Sequence, residues 1–97
     1  MRKLRLTREK RFLACTAVYY MIIDGNVIKS IQIENGYDSV HNLDNKEHSI
    51  QILAKFDEGD AYSNVCTIYE GSKNYHITIR TKMGFSIGKV FIDCTSY

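Results

Sequence analysis

The sequence predicts an all-β fold, an antiparallel β-sandwich of seven or eight strands, and three observations carry that expectation. Period-2 alternation recurs in short segments: in "NYHITIR", residues 74–80, Tyr75, Ile77 and Ile79 share one face while Asn74, His76, Thr78 and Arg80 share the other. Turn residues separate such segments at intervals of roughly 8 to 12 residues, the spacing of sandwiches and barrels. Helical periodicity is weak throughout. At 97 residues, 44% hydrophobic and 25% charged, the chain has the size and composition of one globular domain, residues 1–97, with no repeat or low-complexity segment.

In chain order, strands are predicted at about 3–7, 12–23, 27–34, 39–43, 47–56, 62–69, 74–82 and 86–93. The turns between them are Asp24-Gly25-Asn26, Asn35-Gly36, Asp44-Asn45-Lys46, 57–60, Gly71-Ser72-Lys73 and Met83-Gly84. In "EHSIQILAKF" the inward row is His48, Ile50, Ile52, Ala54 and Phe56. With Met21, Ile31, Tyr75, Ile77 and Ile79, the isoleucines of that row form the expected core.

The stretch "YYMIIDGNVIKSIQIENG", residues 19–36, reads as a hairpin and not as a metal or phosphate loop. A three-residue loop, Asp24-Gly25-Asn26, sets Tyr19 opposite Ile31 and Ala17 opposite Ile33, with Ser30, Gln32 and Glu34 together on the other face. A two-residue Gly25-Asn26 loop would leave Ile31 and Ile33 on the wrong side, and a slip of one residue flips every side chain. Gly25 and Asn26 are the residue types that tolerate positive φ there.

Charge is uneven along the chain. Residues 1–11 hold six cations (Arg2, Lys3, Arg5, Arg8, Lys10 and Arg11) against Glu9, a balance of +5, and the remainder stands at −3. A basic segment on an acidic body fits either a nucleic-acid or anionic-lipid contact or, as favoured here, a solvated edge strand whose cations discourage edge-to-edge pairing. Nucleic-acid binding would need Arg80, Lys82 and Lys89 to join Lys3 and Arg5 on one face with interleaved tyrosines. The acidic body argues against it.

Cys15, Cys66 and Cys94 are odd in number and widely spaced, so no disulfide framework or zinc knuckle follows. Each lies in an apolar strand-like context, where free cysteine behaves as a small buried hydrophobe, and this points to a cytoplasmic protein. "FLACTAVYYMII" after the basic start imitates a signal peptide. At twelve residues it is too short to span a bilayer, and it ends in Asp24-Gly25 where a cleavage site would show small residues.

The run from "RLTREKRFLACTAVYYMIIDG" through "LDNKEHSIQILAKF" to "EGSKNYHITI", about residues 3–82, resembles the small bacterial PEGA-like domains. Shared are a basic first strand, a long second strand ending in "IDG", a strand carrying "EHSIQI", and an acidic-glycine turn before an aromatic strand. The chain lacks proline, so the stretch that names the family is absent. Lys46 also stands where relatives have glycine, which passes the left-handed position to Asn45. The resemblance implies an immunoglobulin-like or prealbumin-like sandwich, no enzymatic activity and no agreed ligand. Such domains are expected to serve as binding or accessory modules.

The competing class is a cysteine-dependent hydrolase or redox enzyme that pairs Cys15, Cys66 or Cys94 with His41, His48 or His76. No local signature supports a pairing, and His48 sits on the apolar row of its strand. Three carboxylates in "DEGD", residues 57–60, suit a hard cation by type and do not match an EF-hand by spacing, so they read as a hairpin tip. No cofactor motif is present. The leading candidate is instead the outer row of the second strand: if Ala17, Tyr19, Met21 and Ile23 point inward, Val18, Tyr20 and Ile22 form an apolar interaction surface facing outward. A protein partner or a second copy of the chain in a homodimer is the expected occupant. A covering loop or the C-terminal "CTSY" is the alternative.

Overall fold

The computed structural model describes residues 1–11, 16–83 and 88–97. Its strands are β1 (Arg2–Arg8), β2 (Val18–Ile23), β3 (Asn26–Ile33), β4 (Asp38–Leu43), β5 (His48–Phe56), β6 (Gly59–Tyr62), β7 (Cys66–Ile68), β8 (Tyr75–Met83) and β9 (Gly88–Ser96). They form two sheets, ordered β4-β1-β8-β9 and β3-β2-β5-β6, with β7 pairing β5 beyond the end of β6. The expected all-β architecture is present, with nine strands among the described residues instead of seven or eight. The extra one arises because the predicted 62–69 strand breaks at Ser63: its Oγ accepts from the Ile52 amide and its own amide donates to the Ile52 carbonyl, which kinks the edge into β6 and β7. The predicted starts at 12 and 86 and the Met83-Gly84 turn involve positions outside the described residues.

Two expectations about the first strand are corrected. It is central, flanked by β4 and β8, and its ladder with β8 is parallel, so the sheet is mixed. Side-chain parity explains why a basic segment sits inside. Arg2, Leu4, Leu6 and Arg8 share the inward row, with Leu4 and Leu6 fully buried, while Lys3, Arg5 and Thr7 face out. Two leucines draw the strand between its neighbours, and an arginine at each end reaches backbone carbonyls.

The β2–β3 turn also differs from expectation. Ile23 pairs with Asn26, leaving a two-residue Asp24-Gly25 loop in which both residues take positive φ, 51° and 83°. This is the backbone of the tight hairpin turn whose twist matches its strands. The left-handed residues are therefore Asp24 and Gly25, and neither Asn26 nor Asn45 is among them. A bulge then intervenes: Met21 pairs Ile28, yet Tyr19 pairs Ile33. Three extra β3 residues are absorbed there, which moves Ile33 to full burial and leaves Ile31 half-buried at the core margin.

The core between the layers holds Leu4, Leu6, Met21, Ile50, Ile52, Ala54, Phe56, Ile68, Ile77, Ile79, Val90 and Ile92 around Tyr19. Tyr75, like Ile31, is only partly buried against it. Tyr19 is fully buried and tied across the layers: its hydroxyl meets the Thr81 hydroxyl of β8 at 2.5 Å, and Phe56 stands edge-on at 5.8 Å. A buried phenol needs such a partner, since an unpaired one costs roughly 1–3 kcal/mol.

Candidate functional site

The β2–β5–β6 ladder aligns Tyr20 with Leu53 and Leu53 with Tyr62. On β2 these outward residues alternate with core-facing Tyr19 and Met21, so the row lies on the solvent side of the sheet. The next row on the same face runs Val18, Lys55, Asp60, and on the other side Ile22 pairs Val27 and Gln51. Of these residues Tyr20, Val27, Leu53, Lys55, Asp60 and Tyr62, together with Lys29 and Gln32 of β3, line a shallow depression of about 560 Å³, which Val18 and Ile22 do not border.

Sequence-predicted Val18, Tyr20 and Ile22 are thus brought to one face, and their exposure differs. Ile22 is only 6% exposed and Val18 and Tyr20 are half-buried, whereas Tyr62 is 59% exposed. Leu53, 5% exposed, fills the floor between the two tyrosines. Leu53 and Tyr62 were missing from the sequence-based surface. The available signal was Leu53 itself, an apolar residue at outward parity between Gln51 and Lys55. The "CTSY" segment belongs to β9 of the other sheet, and the Tyr97 amide donates to the Asn74 carbonyl, so the C-terminus does not cover this row. Lys55 Nζ sits 2.9 Å from Asp60 Oδ2, which raises the lysine pKa, and Lys29 adds a second cation to the face.

The histidines are committed elsewhere. His41 Nε2 meets the Tyr37 hydroxyl at 2.9 Å, and His76 Nε2 meets the Thr7 hydroxyl at 2.8 Å. His48 is held on both nitrogens, Nδ1 at 2.7 Å from Asp24 Oδ2 and Nε2 at 2.6 Å from Asp44 Oδ1. Two carboxylate acceptors require both ring nitrogens to donate, and these hydrogen bonds raise the His48 pKa. The same contacts, with the Ser49 amide on Asp24 and the Lys46 amide on Asp44, lower both carboxyl pKa values. An imidazolium with no free nitrogen cannot act as a general base while the clamp is closed. Its evident work is to tie the β2–β3 turn to the β4–β5 turn. Among the described residues no hydrogen bond joins a cysteine to a histidine, and Cys15 lies outside them.

In the "DEGD" segment, Asp57 and Glu58 form the turn between paired Phe56 and Gly59, and Asp60 is paired with Lys55. Among the described residues no group of three His, Cys, Asp or Glu side chains is placed to hold a metal ion, and no helix is long and apolar enough to cross a membrane.

The N-terminal cations are largely engaged within the fold. Arg2, 2% exposed, donates to the carbonyls of Asp44, Tyr69 and Lys46, and Arg8, 3% exposed, donates to those of Ala17 and Ile33. Arg5 forms a fork with Asp38, whose pKa falls to about 2 through that hydrogen bond. Arg11 donates to the Thr81 carbonyl and Lys3 to the Asn42 side chain. Lys82 and Lys89 do adjoin across β8 and β9, while Arg80 pairs with Asp93 at 2.8 Å. Comparison of the chain with protein-family models, with curated proteins and with solved structures gives no match in any of the three.

Proposed function

We propose that the chain is a non-enzymatic interaction module, an immunoglobulin-like or prealbumin-like sandwich of the PEGA-like kind, working in the bacterial cytoplasm. Its contact surface is the outer face of the β3-β2-β5-β6 sheet, and its occupant is a second copy of the chain. The observation that carries this reading is the Tyr20–Leu53–Tyr62 row: two amphipathic rings flank a buried leucine on the outer face of the sheet, with Tyr62 itself well exposed. Aromatic rings offer large contact area with few rotors to freeze, which is why tyrosine dominates contact hot spots. Lys55 and Asp60 beside the row give the face both charges, so a two-fold arrangement that sets the lysine of one copy against the aspartate of the other is available to it.

The test is the solution mass by light scattering. Wild type should be a dimer burying on the order of 1,200 Å² or more. Val18→Lys with Tyr20→Lys should give a folded monomer, and Tyr62→Lys should weaken the dimer by itself. A wild-type monomer at high concentration would refute the reading.

A further inference from the structure

We infer that Cys66 and Cys94 form a site of oxidative modification, a thiol pair that closes into a disulfide joining the two sheets. Cys66 opens β7 in one layer, Cys94 lies in β9 of the other, and both pack against the core from opposite sides. Their proximity has a structural cause two residues before each cysteine in the chain. The Asn64 side chain donates to the Ile92 carbonyl at 3.0 Å and accepts from the Ile92 amide at 2.9 Å. One short side chain spanning that gap brings the two backbones together, and the next residue of the same parity on each is a cysteine. There Cys66 is close enough to Cys94 to act on its thiol. Both thiols are free and half-buried, so a small reagent has access that a fully enclosed pair would deny.

The oxidant is a small-molecule disulfide, RSSR. The Cys66 thiolate attacks one of its sulfurs, the RS–SR bond breaks, RS⁻ leaves and a mixed disulfide forms on Cys66. Cys94 then attacks the Cys66 sulfur, the Cys66–Cys94 bond forms and a second RS⁻ leaves. Each RS⁻ takes one of the two thiol protons, so one RSSR is reduced to two RSH while the protein dithiol is oxidised. Burial first, and then Cys66, push the Cys94 thiol up to about 12. Cys94 is therefore the poorer initial nucleophile and the natural resolving partner.

The experiment treats the folded full-length chain with oxidised glutathione and reads intact mass, a peptide map and the melting temperature. The expected product has lost two hydrogens, carries a Cys66–Cys94 cross-link, and melts on the order of 10 °C higher, reversibly with reductant. A Cys15→Ser variant should behave identically. Cys94→Ala should stop at the glutathione adduct on Cys66, and Cys66→Ala should show no intramolecular bond. Absence of reaction, an adduct that never resolves in the wild type, or a cross-link only between molecules or through Cys15 would each overturn the inference.

Discussion

The Arg8 guanidinium lies over the Tyr19 ring, its central carbon 3.6 Å from the ring centroid, at the margin where the first strand leaves the core. A planar cation is needed there. It stacks on the ring face while its Nη1 donates to the Ala17 and Ile33 carbonyls at 2.7 and 2.8 Å. Arg8→Lys keeps the charge and loses the flat stacking and the fork. It should lower unfolding free energy by about 1 to 3 kcal/mol in urea denaturation. An unchanged midpoint would show that charge alone matters at this position.

Stability should depend on pH through the Asp24–His48–Asp44 clamp. His48 has its pKa raised above 6.5 by the two carboxylates, so its contribution is fully present below about 6.5 and is lost as pH rises through the folded-state value. Asp24 and Asp44 have theirs lowered below 3.8, so their contribution is present above about 3.8 and lost as pH falls through the folded-state values. The clamp therefore supports the fold most between those limits. Melting temperature should decline as pH rises above about 6.5, and His48→Gln should flatten that decline. Parallel profiles for wild type and variant across that range would eliminate the clamp as its source.

Truncation of the core tests the assignment of faces. Ile77 is fully buried on β8, between β1 and β9 and facing the second layer. Ile77→Ala should cost about 2 to 5 kcal/mol, a large share of a small domain's stability. If thermal unfolding of the variant matched wild type, the inward row of β8 would be misassigned.

Asn64 caps the free edge of β9, since the Ile92 amide and carbonyl that it holds point away from β8. Asn64→Ala should speed hydrogen exchange of the Ile92 amide while leaving exchange at Ile79 in the β8 interior nearly unchanged. It should also slow closure of the Cys66–Cys94 bond. Equal Ile92 protection in both proteins would mean that another group covers that edge.

Tyr20 and Tyr62 should act together at the proposed contact. Because Leu53 lies between them on the ladder, a double-mutant cycle over Tyr20→Ala and Tyr62→Ala should show coupling in the dimer dissociation constant. Additive losses of affinity would place the two rings in independent contacts.

Local pattern determined much of this fold. The alternation in "HSIQILAKF" and "NYHITIR" fixed which side of β5 and β8 is buried, because a period of two admits only two faces and isoleucine chooses between them. The same parity placed Val18, Tyr20 and Ile22 opposite the core. Three things were settled only by tertiary structure. The N-terminal strand became central because β4 and β8 supply the ladders that Leu4 and Leu6 need, and neither neighbour is adjacent in the chain. The β3 bulge set the register of Ile33 against Tyr19, which no single loop length delivers. The pairings of His48 with Asp24 and Asp44, of Leu53 with Tyr62, and of Cys66 with Cys94 arise where turns, strands or layers converge. Sequence spacing records the side-chain period along one strand; it carries no measure of which strand lies alongside, and that is decided by the joint burial of both layers.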